Sequence, residues 1–206
     1  MASRTSTPDG ARRERVLAAA LEVFARYGFR KASMDEIARS ADISRQGLYL
    51  HFANKDALFR AAVRQELDTA LSDVSRCLDE EGVALERRVV AALDAWLGRY
   101  VGSMLASDIG NLLQNPAMQL SDMVDPAIAS FDALLAAAIA AAMSENDRRR
   151  LGVTPEEIAG ALHTVAQGAK YLATARAESR EEFVARMTAA ARVVFAGFGS
   201  TAKRTP

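Results

Sequence analysis

Apolar residues recur at helical spacing along most of this chain. Residues 12 to 27 carry one apolar stripe, which consists of Val16, Leu17, Ala20, Leu21, Phe24 and Tyr27. Gly28 then follows as a helix stop signal. No later stretch shows the strict alternation of a half-buried strand. The pattern therefore predicts an all-α protein.

Three capped helices are predicted directly after the first. Ser33 can cap a short second helix, and Glu36 three residues later completes a capping box. Ser44 can cap a third helix. Asn54 can cap a fourth, which is expected to continue to about Cys77. Four helices thus fill the first third of the chain.

Beyond Gly82 the helical periodicity continues, interrupted by proline and glycine. It predicts helices near residues 84 to 105, 108 to 114, 124 to 144, 154 to 177 and 179 to 197. The start at Thr154 is the clearest, because threonine can accept from free amides and Pro155 fits the first turn. The arginines at 148 to 150 are expected in a solvated loop after a helix end. About nine helices are predicted in all.

The segment between the second and third helices is too short for anything but a steep crossing. Residues 41 to 44 read Ala-Asp-Ile-Ser, which predicts a helix-turn-helix. Asp42 occupies the sharpest position, where a positive φ is expected. Aspartate is one of the few residues other than glycine that tolerates that region. This arrangement predicts a DNA-binding module in which the third helix enters the major groove.

The first turn of the third helix carries residues suited to reading bases. Arg45 can donate two hydrogen bonds to guanine, and Gln46 can pair with adenine. Gly47 permits a close approach of the helix backbone to DNA. Each bidentate pair would contribute about 1–3 kcal/mol of discrimination. We therefore expect this turn to select the operator sequence.

Polar side chains around the third helix are candidates for phosphate contacts. They are Tyr49, His51 and Lys55, together with the hydroxyls of Ser33 and Ser44. Such contacts would fix the register of the protein on DNA more than the sequence it selects. Alternatively, Tyr49 is a partly buried core aromatic and His51 is a surface histidine without a partner.

Charge divides the chain into two parts although its net charge is zero. Residues 1 to 64 hold 12 lysines and arginines against 7 acidic residues, a net charge of +5. The remainder holds 14 against 19, a net charge of −5. A polyanion is the natural partner of the basic part.

Composition narrows the class of protein further. Half of the residues are hydrophobic and a quarter are charged, as in ordinary globular proteins. The polar N-terminal residues precede no apolar signal-peptide core, so a cytoplasmic protein without a membrane partner is expected. Only His51 and His163 accompany the single Cys77, so no disulfide, metal site or cofactor is predicted.

Two segments resemble the TetR family of transcriptional regulators. They are ASMDEIARSA at residues 32 to 41 and ISRQGLYLHFANKDALF at 43 to 59. With the first helix, the resemblance covers about 62 residues. Asp42 departs from the glycine usual in the family, and Gln46-Gly47 departs from a frequent Gly-Thr-like order. The resemblance implies DNA-binding roles for Ser33, Arg45, Gln46, Tyr49, His51 and Lys55.

The resemblance also implies a division of labour along the chain. Residues 11 to 62 would form the DNA-binding domain, and residues 63 to 200 a larger helical domain for effector binding and dimerisation. Small residues line the last two helices and would permit close packing in a homodimer. They are Ala159, Gly160, Ala161, Ala166, Gly168, Ala169, Ala185, Ala189, Ala190 and Ala196. Packing within one chain is the alternative.

Aromatic, thioether and a few polar residues are candidates for the effector site. They are Trp96, Tyr100, Met104, Met123, Phe131, His163, Gln167 and Tyr171. Their composition favours an apolar or aromatic effector. Ordinary core packing is at least an equal explanation for each of them, and His163 can be a satisfied structural histidine.

These observations predict a ligand-responsive DNA-binding regulator, foremost a repressor released from a palindromic operator. Its expected partners are double-stranded operator DNA, a small-molecule effector and a second copy of the chain. An alternative is a helical small-molecule-binding or interaction module without sequence-specific DNA binding. An enzyme is a poorer reading, because no Ser-His-Asp set, Cys-His pair, phosphate loop or carboxylate dyad emerges.

Overall fold

The computed structural model describes residues 8 to 102, 104 to 113, 115 and 118 to 196. Within these residues the chain is helical and contains no strand, which confirms the all-α prediction. The helices are α1 (Pro8–Lys31), α2 (Met34–Ser40), α3 (Arg45–His51), α4 (Lys55–Leu78), α5 (Leu85–Trp96), α6 (Met104–Leu113), α7 (Ser121–Ala142), α8 (Glu145–Leu151), α9 (Pro155–Arg176) and α10 (Arg180–Phe195). A short 3-10 turn, Gly98–Tyr100, follows α5.

The described residues divide into two compact units. The first unit holds those up to Thr69 together with Met104–Val124, and the second holds the others. The first unit therefore combines α1 to α3 and α6 with the larger part of α4 and the first residues of α7. The domain boundary expected between residues 62 and 63 stays a prediction.

The core of the first unit joins α1 to the two short helices that follow it. Its fully buried side chains include Leu17, Phe24, Ile37, Leu48 and Leu58. Phe24, Phe29 and Phe59 form a ring cluster with centroid separations of 5.0 to 5.7 Å. This apolar burial fixes α2 and α3, each of only seven residues, which would be marginal in isolation.

The stop signal in α1 works as a kink. Gly28 has φ 76° and ψ 153°, which lies outside the helical region and is easily reached only by glycine. After the kink, α1 continues for about one more turn and ends at Lys31. The carbonyl oxygens of Phe29, Arg30 and Ala32, which follow the kink, accept hydrogen bonds from Lys55 at the start of α4.

In the second unit, α10 packs on both α5 and α9. Leu93, Leu162, Phe183 and Met187 are almost completely buried in this packing. Arg180 Nε and Nη2 donate to the two carboxylate oxygens of Asp94 at 2.8 and 2.9 Å. A bidentate pair of this kind fixes geometry as well as charge, and it ties the start of α10 to α5.

The single helix predicted from residue 84 to 105 is wrong. In the structure α5 ends at Trp96, and the 3-10 turn interrupts it. A Cβ at Gly98 would lie 2.0 Å from Asp94 Oδ1 and 3.0 Å from Phe183 Cε1. Gly102 has φ 93°, a conformation that an ordinary side chain rarely adopts. Close packing and backbone conformation at these two glycines thus end the helix earlier than the apolar periodicity indicated.

The arginines predicted in a loop lie instead in α8. Ser144 caps this helix by accepting from the Asp147 amide at 3.0 Å, and Gly152 ends it with φ 65°. Arg149 pairs with Glu145 at 3.2 Å, one turn earlier. With seven residues and no long apolar stripe, α8 is formed by its caps and charge pairs, which apolar periodicity does not detect.

The helix α7 is long and apolar enough to cross a membrane by length and composition, with a mean hydropathy of 1.6. One such helix is weak evidence, because core helices pass the same test. Phe131, Leu135 and Ile139 of α7 are fully buried, and Asp132 bonds His163 of α9. These contacts are those of a core helix.

Candidate DNA-binding interface

The turn between α2 and α3 has the conformation that the sequence predicts. Asp42 adopts φ 53°, in the left-handed region. The Ile43 amide then donates to the Ala38 carbonyl at 3.0 Å, which closes the turn beneath the end of α2. The helix-turn-helix prediction is thereby confirmed, with aspartate serving at the position where glycine was considered usual.

The hydroxyls of Ser33 and Ser44 are both engaged in helix capping. Ser33 forms the predicted capping box, in which the Glu36 amide donates to Ser33 Oγ at 3.2 Å and the Ser33 amide donates to Glu36 Oε2 at 2.9 Å. Ser33 Oγ also donates to Glu36 Oε2 at 2.9 Å, and this bond together with the one from the Ser33 amide lowers the pKa of Glu36. Ser44 Oγ accepts from the Gly47 amide at 3.0 Å. The phosphate role of both hydroxyls stays a prediction.

One face of α3 is buried and the opposite face is presented to solvent. Leu48 is fully buried beneath α3, whereas Arg45 and Gln46 are exposed. Tyr49 is 42% exposed, so it is not a core aromatic. Tyr49 follows Arg45 by four residues and Gln46 by three, and residues at these spacings are neighbours on a helix, so the three side chains form one surface that faces away from the core.

Leu50 belongs to this exposed surface, and the sequence reasoning missed it. Its side chain is 81% exposed, the largest exposure among the large hydrophobic residues of the described chain. An apolar group on a DNA-reading helix can contact the methyl group of thymine. The signal was a leucine next to Tyr49 that falls outside the apolar stripe of α3.

Arg45 is held loosely over Tyr49. Its guanidinium carbon lies 5.7 Å from the Tyr49 ring centroid, and Nη1 is 3.1 Å from Asp35 Oδ2. Both charged side chains are at least half exposed, so the ion pair contributes at most about 1 kcal/mol. The pair can therefore position the guanidinium while leaving it available to exchange Asp35 for a base or phosphate.

Gly47 has a local role in addition to any approach to DNA. A Cβ at this position would lie 3.1 Å from Ser44 Oγ, closer than most real contacts. A larger residue would crowd the capping hydroxyl. The glycine predicted to allow DNA approach therefore also maintains the first turn of α3.

Lys55 occupies a different place from the one that the sequence suggested. Its Nζ donates to the carbonyl oxygens of Phe29 at 2.7 Å, Ala32 at 3.0 Å and Arg30 at 3.3 Å. It also lies 4.7 Å from the Phe29 ring centroid. The three N–H donors of the ammonium group are thus all used by main-chain carbonyls, so Lys55 caps the end of α1 in this conformation. Its phosphate contact stays a prediction.

His51 ends α3 as an exposed side chain. Its ring centroid lies 6.4 Å from that of Phe52, the residue that caps the helix and is buried. This placement leaves the imidazole accessible at the same end of the helix-turn-helix as Lys55. The predicted phosphate contact of His51 is compatible with it and stays a prediction.

In the second unit the structure brings together four of the predicted effector residues. The Trp96 and Phe131 rings stack with centroids 5.0 Å apart, and His163 meets Phe131 edge-on at 5.0 Å. His163 Nδ1 lies 2.7 Å from Asp132 Oδ1, and Gln167 Nε2 lies 3.3 Å from His163 Nε2. His163 thus has a partner at each ring nitrogen, and these two contacts fix the orientation of the imidazole.

The remaining effector residues are dispersed. Tyr100 is buried in the second unit and lies against Lys170, which the sequence reasoning had not singled out. Tyr171 is 74% exposed. Met123 is buried in the first unit, and the side chain of Met104 lies outside the described residues. The effector roles of all eight residues stay predictions.

The small residues of α9 and α10 do not all lie on one helix face. Ala159, Ala166 and Ala169 are buried within the chain, whereas a Cβ at Gly160 or Gly168 would meet nothing within 4 Å. Large hydrophobic residues are exposed on the same two helices. They are Val165, Tyr171, Leu172 and Val193. Part of the small-residue pattern therefore belongs to the intrachain core, and part lies at the surface.

Comparison with known proteins places the N-terminal residues among bacterial regulators. The family described as "Bacterial regulatory proteins, tetR family" matches residues 16 to 62. The activator FasR of Mycolicibacterium smegmatis is 41% identical over 71 residues, 34% of this chain and 32% of that protein. A transcriptional repressor of Mycobacterium tuberculosis is 35% identical over 89 residues, 42% of this chain and 46% of the relative. The matches thus span between a third and a half of these relatives.

The fold is similar over almost the whole chain. A regulator of Pseudomonas aeruginosa PAO1 superposes with a TM-score of 0.70 and covers 95% of this chain and 96% of its own, at 18% identity. At that identity the likeness concerns the fold alone. The C-terminal helices thus share an architecture with known regulators while their side chains differ.

Proposed function

We propose that this chain is a regulator of the TetR family, a repressor released from a near-palindromic operator by a small effector. The effector is largely apolar or aromatic, and the repressor acts as a homodimer in the cytoplasm. The observation that carries the proposal is the exposed face of α3, set on a helix-turn-helix whose turn and caps are fixed.

The chemistry of that face suits base recognition. Arg45 can donate two bonds to guanine, Gln46 can pair with adenine, and Leu50 can pack against a thymine methyl group. Tyr49 lies beside Arg45 and holds its guanidinium in place. These residues give α3 the means to distinguish bases, whereas His51 and Lys55 would hold the backbone of the duplex.

Dimerisation through α9 and α10 is supported by their exposed apolar side chains. Val193 is 79% exposed and Tyr171 is 74% exposed, so both side chains are available for contact with a second copy of the chain. A two-fold axis through this face would present two copies of α3 to the same DNA. On B-DNA the two half-sites would be about 34–36 Å apart, or a multiple of that distance.

Release from DNA requires an effector that prefers a different conformation from the one that binds the operator. The aromatic and histidine cluster of the second unit supplies the contacts for such a molecule. Thermodynamic linkage then requires that DNA weaken effector binding by the same factor by which effector weakens DNA binding. Of the two relatives compared above, one is named an activator and the other a repressor.

The relatives are regulators, and we propose no enzymatic activity for this chain. The His163–Asp132 pair resembles part of a catalytic set, but both ring nitrogens of His163 are engaged within the protein. Such a pair orients a side chain rather than activating a nucleophile.

The test is selection of bound duplexes from a random DNA pool by the purified full-length protein. We expect an enriched palindrome whose affinity falls steeply between 50 and 200 mM salt, as phosphate contacts require. The double variant Arg45→Ala, Tyr49→Ala should lose specific binding at least a hundredfold. Arg87→Ala, which removes an exposed arginine of the second unit, is the matched control and should change little.

Two outcomes would contradict the proposal. If a folded, dimeric protein enriched no sequence, the chain would be a helical ligand-binding or interaction module instead. If the double variant kept its operator affinity, the recognition surface would lie elsewhere than on α3.

A further inference from the structure

Lys170 is a buried cation in the middle of α9. Its side chain belongs to a residue only 6% exposed, on the face of the helix that packs into the second unit. Its ammonium group lies 5.1 Å from the centroid of the buried Tyr100 ring. Among the described residues, no carboxylate pairs with it and no carbonyl accepts from it. The positive charge is therefore balanced only by the face of an aromatic ring.

Two arginines of the second unit are paired with carboxylates. Arg180 forms its bidentate pair with Asp94, and Arg186 lies 2.7 Å from Glu178. The unit thus has carboxylates available for its arginines but directs none toward Lys170. Burial of the unpaired charge lowers the pKa of Lys170 to about 8. A buried charge without a partner carries a desolvation cost, and groups with such perturbed pKa values are common at binding sites.

The neighbours of Lys170 on α9 define what else a ligand would meet. His163, Gln167 and Lys170 are spaced by four and three residues, so they lie along one stripe. His163 is oriented by its bonds to Asp132 and Gln167 and contacts the Trp96–Phe131 stack through Phe131. The seven residues between His163 and Lys170 correspond to about 10 Å of helix. The stripe thus has an aromatic end and a cationic end.

We propose that Lys170 binds the charged group of the effector, and that the effector is an organic monoanion, a carboxylic acid with an apolar or aromatic body. One ammonium group with no second unpaired cation in the described stripe matches a single negative charge better than a phosphate dianion. The carboxylate would supply the hydrogen-bond acceptor that the protein omits, and the apolar body would extend toward the aromatic end. This inference rests on the proposed function, since it names the chemistry of the effector.

The test compares acids with their neutral amides. The probes are octanoate and 4-butylbenzoate, each with its primary amide, so that members of a pair differ in charge and little in shape. Trp96 is the single tryptophan of the chain, so its fluorescence reports binding in the second unit. Wild type, Lys170→Met and Lys170→Arg are titrated with each probe. Arg87→Met, which removes an exposed cation of the same unit, is the control.

We expect wild type to bind each acid at least tenfold more tightly than its amide. Lys170→Met should reduce affinity for the acids at least tenfold and leave the amides within twofold, whereas Lys170→Arg should recover part of the loss. Arg87→Met should bind like wild type. Thermal unfolding of each variant verifies that it is folded.

Other results would overturn the inference about Lys170, and they can be distinguished from results that overturn the proposed function. Equal binding of acids and amides, binding of neither, or equal loss of both in Lys170→Met would each reject Lys170 as an anion site. Operator affinity of the wild type is measured with and without octanoate in the same preparations. Lys170-dependent acid binding without any change in operator affinity would support the site but reject its role as the regulatory effector site. Failure to bind any operator would reject the proposed regulator alone.

Discussion

The two units use a lysine in opposite ways. Lys55 in the first unit donates three hydrogen bonds to main-chain carbonyls, whereas Lys170 in the second has none among the described residues. Both ammonium groups lie near an aromatic face, Phe29 at 4.7 Å and Tyr100 at 5.1 Å. The aromatic contact is therefore common to both, and the difference lies in the oxygen acceptors. The half-buried Lys55 therefore serves the fold, whereas the buried Lys170, which has no oxygen acceptor among the described residues, is the one that we propose for binding.

The largest effect in this comparison is expected from Lys55→Met. Loss of three charge-assisted bonds leaves the carbonyls at the end of α1 without their donor and should lower the free energy of unfolding by about 3–4 kcal/mol. Chemical denaturation of the full chain measures it. Lys31→Met, an exposed lysine of the same helix end, is the control. A loss below about 1 kcal/mol would mean that water replaces Lys55 freely, and the phosphate interpretation would then gain weight.

The next effect is a dependence of stability on pH that originates from Lys170. Its pKa is about 8 in the folded chain and 10.5 in the unfolded one, so between these values the unfolded state binds more protons. Stability should therefore rise by about 3 kcal/mol from pH 8 to 10.5, and the full penalty should be present below pH 8. The difference between wild type and Lys170→Met isolates this contribution from other groups. Parallel curves for the two proteins would show that Lys170 is solvated in the folded state.

At pH 7, Lys170→Met should stabilise the protein without effector. An apolar side chain of similar length removes the penalty of the buried charge but loses the contact with Tyr100, so a net gain of about 2 kcal/mol is expected. Thermal unfolding provides the measurement. If the variant were destabilised instead, Lys170 would be a structural lysine like Lys55, and the proposed difference between the two lysines would be rejected.

The smallest effect is expected at the exposed pair of Arg45 and Asp35. Asp35→Asn should change stability by less than about 1 kcal/mol, because both charges are largely solvated. The same change frees Arg45 from its acidic partner and should strengthen non-specific DNA binding modestly. Fluorescence anisotropy with a random duplex measures it. A large loss of stability here would show that exposed cations also serve the fold.

The sequence predicted best what depends on neighbouring residues. The caps at Ser33, Ser44 and Thr154 and the positive φ of Asp42 were all read from spacings of three or four residues. Capping geometry is local, so the amino acids that produce it stand next to one another. The fold class and the helix-turn-helix follow from such local signals.

Contacts between distant residues escaped prediction. Lys55 reaches carbonyls 23 to 26 residues earlier, and His163 bonds Asp132 across 31 residues. The early end of α5 depends on Asp94 and on Phe183 of α10, far along the chain. A lysine inside an apolar stripe was a visible signal at position 170, but its meaning depended on Tyr100, which only the fold brings near.

The bonds of Lys55 also have a consequence for how the DNA-binding module opens. They join the end of α1 to the beginning of α4, so α2 and α3 lie within a closed segment of the chain. Two helices of seven residues would fray readily if they could detach one at a time. Because α2 and α3 can detach only after the Lys55 hydrogen bonds break, the amide protons of both helices should exchange with solvent as one cooperative unit. The rigidity of α3 then depends on Lys55, a lysine that need not contact DNA.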